Sequence, residues 1–183
     1  MKKKNIIIIL ILVVLSIFLM QYWSKKEDKA EKERIEQLKI EKEKAEKKET
    51  SFTWYTDVNK AINASTQTGK TLFFFFTGSD WCGWCIKLQK EVFFLPEFKK
   101  WATKNVILVE LDFPRRTPIS DDLKKQNREL ANMFGVRGYP TVWLVTPTIA
   151  DGKVNFNKLG SQGYVRGGPS AWISGANKIL KKK

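Results

Sequence analysis

TLFFFFTGSDWCGWCIKLQKE, Thr71 to Glu91, holds both cysteines of the chain, Cys82 and Cys85, where one hydrophobic period gives way to another. Leu72 to Phe76 is an unbroken apolar run with four phenylalanines, the pattern of a strand buried on both faces. Gly78, Ser79 and Asp80 end it. Beyond Cys85, Leu88, Val92 and Leu95 recur at the spacing of one helical face. A strand-to-helix turn therefore carries the pair. The first turn of a helix offers unpaired N–H groups and the positive end of the macrodipole, which lower a thiol's pKa. Cys82 is then the exposed attacking thiol, and Cys85 the inner thiol that resolves a mixed disulfide. Zinc would need four ligands, and the chain has two cysteines and no histidine. No metal site is expected, and no cofactor beyond the redox-active disulfide. A purely structural pair of core cysteines is the other reading of the spacing, against which stand Gly78, Gly83, Trp81 and Trp84 around it.

The run FTGSDWCGWC, its helix and the distant Gly138-Tyr139-Pro140-Thr141 resemble the thioredoxin family over Phe52 to Leu180. The similarity is greatest to its small extracytoplasmic members and to the reducing C-terminal domains of transmembrane thiol-disulfide interchange proteins. The resemblance implies an α/β thioredoxin fold, a mixed central sheet flanked by helices, and a thiol-disulfide oxidoreductase. It implies a cis Pro140 beside Cys82, with the Tyr139 backbone pairing with extended substrate. Trp81, Gly83 and Trp84 would complete a docking rim. Two positions depart from the family. Many thioredoxins carry a buried acid six residues before the first cysteine, where this chain has Phe76. Asp80 is the nearest candidate for moving the resolving thiol's proton, or it caps the helix. Gly83-Trp84 stands between the cysteines where Gly-Pro is common, so the redox potential does not carry over.

At the start of the chain Lys2, Lys3 and Lys4 precede an apolar run, Ile6 to Met20, interrupted only by Ser16. Extended to Trp23 it gives 18 residues, about 27 Å of helix against a hydrocarbon core of roughly 30 Å. Tyr22 and Trp23 stand where an interfacial aromatic belt would, and no small-x-small cleavage site follows Met20. Residues 1–23 are expected to be an uncleaved signal anchor, with the globular part outside the cytoplasm on the periplasmic or cell-surface side. Residues 24–50 hold Lys, Glu and Ala without Gly or Pro, and acid-first pairs such as Asp28–Lys32 and Glu43–Lys47 favour a solvated helical stalk. Residues 51–183 form the thioredoxin-like domain.

Within that domain the expected order is β-α-β-α-β-α-β-β-α. Gly69 stops the first helix, and Pro96 breaks the one after the cysteines. Val106 to Phe113 is a strand, and Ser120 or Asp121 caps a helix through Met133. Asp151-Gly152 turns a hairpin, and Pro169 opens the last helix. Phe93, Phe94 and Phe98 are expected in the core, as are Leu123, Leu130 and Met133. The net charge of +14 suits acidic partners or an anionic membrane surface, and no nucleic-acid motif is present. Arg115 and Arg116 lie in a loop that could meet an acidic partner or simply be solvated.

The expected function is a membrane-tethered reductase or isomerase of disulfides in extracytoplasmic proteins, recharged by a membrane thiol-disulfide electron donor. A disulfide-forming oxidase and a tethered binding or chaperone module with incidental redox activity are the alternatives. Metal delivery by the two thiolates is a third.

Overall fold

The computed structural model describes residues 52–150 and 152–182, together with 31–41 and scattered positions from 15 to 29. The chain divides into two units, Met1–Glu49 and Thr50–Lys183. In the first, the described residues are helical and exposed, and Lys29 and Glu33 approach to 3.9 Å. Most of the apolar run Ile6 to Met20 lies outside the described residues. Among those described, no helix is long and apolar enough to cross a membrane.

The second unit is a five-stranded mixed sheet with helices on both faces, the thioredoxin fold. Its elements are β1 (Trp54–Tyr55), α1 (Val58–Thr68), β2 (Thr71–Thr77), α2 (Gly83–Leu88), α3 (Pro96–Asn105), β3 (Val106–Asp112), α4 (Asp121–Met133), β4 (Thr141–Ala150), β5 (Lys153–Gln162) and α5 (Gly168–Leu180). The strand order is β1-β3-β2-β4-β5. β2 and β1 run parallel to β3, β4 runs antiparallel to β2, and β5 antiparallel to β4.

β2 is central, and every one of its residues is buried. Period two divides its phenylalanines. Phe73 and Phe75 face Phe93, Phe98, Trp172 and both cysteines, whereas Phe74 and Phe76 face Val58, Ile62, Leu130 and Phe134. Burying one such ring contributes roughly 1.5–3 kcal/mol, so this strand is the chief apolar element of both cores.

Local signals end the helices as their residues dictate. Asp57 caps α1 by accepting the N–H groups of Asn59 and Lys60, and Gly69, at φ +68°, closes it. Ser120 caps α4 through Leu123 N–H. After α2 the helix continues as a π-turn, Gln89–Phe93. Leu95 is extended ahead of Pro96, which opens α3.

The π-turn corrects the sequence expectation. Its extra residue per turn rotates the face, so Leu88, Val92 and Phe93 are buried while Phe94 and Leu95 are exposed. In α4 the inward positions are Leu123, Asn127 and Leu130, and Met133 is 53% exposed. Phe134, just beyond the helix, takes the buried place expected of Met133.

Candidate active site

Strand directions decide which loops meet. β2 and β3 run the same way, so their C-terminal ends lie together, and antiparallel β4 begins at that end. β5, antiparallel to β4, finishes there. The turn 78–82, the loop 113–119, the loop 134–140 and the loop 163–167 therefore converge on one end of the sheet.

Residues 78–82 form a tight turn, with the N–H groups of Trp81 and Cys82 donating to Gly78 O at 3.3 and 2.9 Å. A side chain at Gly78 would place its Cβ 2.5–2.8 Å from the Trp81 ring, so that ring needs glycine beneath it. Cys82 is the N-cap of α2, and its Sγ accepts the Cys85 N–H at 3.2 Å. The two cysteines form a disulfide. Cys85 is fully buried and Cys82 is 7% exposed, so the first sulfur is the more accessible.

Trp81 forms one wall. Its Nε1–H donates to Phe113 O at 2.8 Å, its ring meets Tyr139 edge-on, and the Arg115 guanidinium lies 3.9 Å from its centroid. Tyr139 also stacks on Phe113 and packs against the cluster that holds both cysteines. The Tyr139–Pro140 peptide is cis. The other wall is Trp84, 57% exposed, against Tyr164 with Lys87 over both rings. Tyr164 donates its hydroxyl to Glu91, which lies 3.9 Å from Lys87. The loop carrying Tyr164 sits close to the cis-proline loop, since a Cβ on Gly163 would be 3.3 Å from Pro140 O.

Acids near the pair have distinct environments. The Asp80 carboxylate accepts the backbone N–H groups of Arg115, Arg116 and Thr117 at 2.7–3.0 Å. Those bonds, led by that from Arg115, hold its pKa at about 2. Asp80 is thus an anion committed to the 115–117 loop, and the N-cap of the helix is Cys82. Phe76 is sealed on the face of the sheet opposite the cysteines. Asp112 accepts Ser79 N–H and hydroxyl. Glu110 is half-buried, and burial, then the charge of Asp112, raises its pKa. Gln89, one turn beyond Cys85, reaches it with Nε2 at 3.4 Å. Burial, then Asp112, also raises Tyr139.

The structure therefore brings Trp81, Cys82, Gly83, Trp84, Cys85, Tyr139 and Pro140 to one end of the sheet, and directs Asp80 into a neighbouring loop. Tyr164, Phe113 and Glu110 join them unannounced. A tyrosine between glycines and a glutamate inside a strand carry no local signal. Only the convergence of strand ends finds them. Among the described residues no group of three His, Cys, Asp or Glu side chains could hold a metal ion.

A family model described as "Thioredoxin-like domain" matches residues 58–167. Over 122 residues the chain is 35% identical to "Disulfide bond reductase DsbH" of Chlamydia pneumoniae, covering 67% of this chain and 69% of that protein. The solved structure "DsbH Oxidoreductase" superposes with a TM-score of 0.62 at 32% identity, over 70% of this chain and 85% of the other. "Thioredoxin-related protein DsbJ" of Chlamydia pneumoniae is 31% identical over 105 residues, which span 57% of this chain but 30% of that longer protein.

Proposed function

Because the chain belongs to the thioredoxin-like domain family and is a thiol-disulfide oxidoreductase, we propose that it reduces or rearranges disulfides of extracytoplasmic proteins, with Cys82 attacking and Cys85 resolving. The observation that carries this is the asymmetry of the pair. Cys82 caps the helix, with a backbone N–H already donated to its sulfur, while Cys85 has no exposed surface. A thiolate at Cys82 keeps that donor, which lowers its pKa.

In the reducing direction the Cys82 thiolate attacks a substrate sulfur, and the substrate S–S bond breaks. One substrate thiol leaves with a proton and a mixed disulfide forms. The Cys85 thiolate then attacks Cys82 Sγ, the second substrate thiol leaves, and the two electrons have come from the dithiol. Tyr139 backbone and the Trp81, Gly83 and Trp84 rim hold the substrate chain across the pair. Turnover needs a dithiol donor, for which a membrane thiol-disulfide carrier is the proposed class.

The reducing direction is supported by the name of the 35% identical relative and by electrostatics. A strong oxidant needs a very low nucleophile pKa. The chain has no imidazolium to supply it, and Asp80 is an anion two residues before Cys82. Residues 1–23 are proposed to anchor the protein, 24–50 to act as a stalk and 51–183 to carry the chemistry outside the cytoplasm.

Equilibration against glutathione buffers tests direction: the expected potential is nearer about −270 mV than about −120 mV, and a value above about −160 mV overturns it. In the reduced protein Cys82 should alkylate faster than Cys85, and Cys85→Ala should accumulate mixed disulfides. Equal alkylation rates would remove the assignment of roles. A soluble form beginning near Ser24 would remove the anchor.

A further inference from the structure

Each of the three loops that converge on the disulfide carries arginine: Arg115 and Arg116 after β3, Arg137 before β4, and Arg166 after β5. All four are exposed. Among the described residues, none of their guanidinium groups has a carboxylate oxygen within 4.0 Å. The acids of these loops are engaged elsewhere: Asp80 with backbone N–H groups, Asp112 with Ser79, Glu91 with Tyr164, and Asp121 with Lys124. The charge of Arg116 does reach Asp80 and helps keep it ionised. Arg115 is fixed most firmly, its backbone bonded to Asp80 and its guanidinium lying over Trp81, the residue before Cys82. A guanidinium stacked on a ring keeps its N–H edge free for a carboxylate.

The loops that carry these arginines border the end of the sheet where a substrate cysteine would meet Cys82. The loop that meets it is open, because neither the N–H nor the C=O of Tyr139 has a hydrogen-bond partner among the described residues. We infer that the arginine ring selects acidic substrate segments: an extended polypeptide whose disulfide-bonded cysteine is flanked by Asp or Glu. This deepens, and rests on, the proposed reduction by Cys82 and Cys85. An anionic lipid surface would satisfy the same charges but would cover the disulfide, whereas a polypeptide occupies the ring and presents its own sulfur. Carboxylates gain charge-assisted, bidentate bonds to the guanidinium groups, and a ring of one sign raises the encounter rate of its opposite by 10-fold or more.

The test uses the full-length chain in nonionic detergent, reduced and freed of reductant. Two peptides are each joined by a disulfide to 2-mercaptoethanol. One has glutamates on both sides of its cysteine, and the other has lysines. In each reaction one peptide disulfide breaks, one Cys82–Cys85 disulfide forms, and the peptide thiol and 2-mercaptoethanol are released. The glutamate peptide should react about tenfold faster at low salt, and the ratio should fall towards one near about 1 M salt, where the Debye length is about 3 Å. Arg115→Gln, Arg137→Gln and Arg166→Gln combined should reduce the ratio to about twofold or less, and the single Arg137→Gln and Arg166→Gln proteins should each reduce it part of the way.

Equal rates for the two peptides, or a preference unchanged by these substitutions or by salt, would overturn the inference. So would equal rates accompanied by an arginine-dependent change in tryptophan emission when phosphatidylglycerol is added to the micelles, which would give the ring to lipid. The neutral 2-hydroxyethyl disulfide separates the two levels. No reaction with it removes the reductase reading itself, whereas reaction with it and no peptide preference removes only the acidic substrate.

Discussion

The two tryptophans that flank the cysteines are close in sequence and opposite in physics. Trp81 is half-buried, bonded through its indole N–H, wedged over Gly78 and covered by Arg115. Trp84 is largely exposed and leans on Tyr164 and Lys87, with Glu91 behind them. One wall of the site is part of the fold, and the other is attached to it by side chains alone. A substrate would thus meet a fixed surface on the Trp81 flank and an adjustable one on the Trp84 flank.

Substitutions can break or sharpen that contrast. The largest effect is expected from Trp81→Ala, which removes packing against Tyr139 and the bond to Phe113 O, and should cost about 3 kcal/mol in urea unfolding of the oxidised protein, the low end for truncating a buried Trp. A cost below about 1 kcal/mol would mean that Trp81 is no more built in than its neighbour.

Gly78→Ala comes next. Its Cβ must displace the Trp81 ring, an overpacking that costs about 1–3 kcal/mol, and tryptophan emission should shift with it. Unchanged emission and stability together would show that the ring has another seat.

Asp80→Asn ranks third and depends on pH. The folded pKa of Asp80 is lowered from 3.8 to about 2. Its contribution is therefore complete above the unfolded value and is lost as pH falls through the folded one. The stability gap between the natural protein and Asp80→Asn should be open at pH 5 and should close towards pH 2. Asp121, also lowered, by Lys124, is common to both proteins and cancels. A gap that is the same at both pH values would show that the charge of Asp80 is not what holds residues 115–117.

The smallest effect on stability is expected from Trp84→Ala, within about 0.5 kcal/mol as for other exposed positions. Its signature should be kinetic: slower reaction with peptide disulfides than with 2-hydroxyethyl disulfide. Equal slowing of both would place Trp84 in the redox step, not in docking.

Much of this was legible in the chain. The four-phenylalanine run pointed to a central strand because a five-residue apolar run closed by Gly78, Ser79 and Asp80 has the length of a strand buried on both faces and is short for a helix. The CxxC spacing, with Gly-Tyr-Pro-Thr far downstream, specified the site through family resemblance, and Gly69, Pro96 and Ser120 marked helix ends by local chemistry, whereas the Asp57 cap emerged only in the structure. The failures share a cause. Leu95 and Met133 were read on inward helical faces and Phe94 in the core beside Phe93, and the π-turn and the end of α4 break the regular helical period on which those faces depend. The destination of Asp80 was not legible because its partners are backbone N–H groups more than thirty residues away, which leave no trace in side-chain identity. The arginines of three separate loops form a ring only once the strand directions are known.

The clamp made by Asp80 has a consequence for how such a protein can change. It grips residues 115–117 solely through main-chain N–H groups, which every amino acid except proline supplies. These hydrogen bonds therefore fix the path of the loop whatever its side chains, and the charge of Arg116 only adds to the ionisation of Asp80. Side chains at residues 115–117 could therefore be exchanged while the neighbouring reaction centre stays as it is. Mutation, or an engineer, can rewrite what the loop displays to incoming chains without re-solving the problem of where it lies.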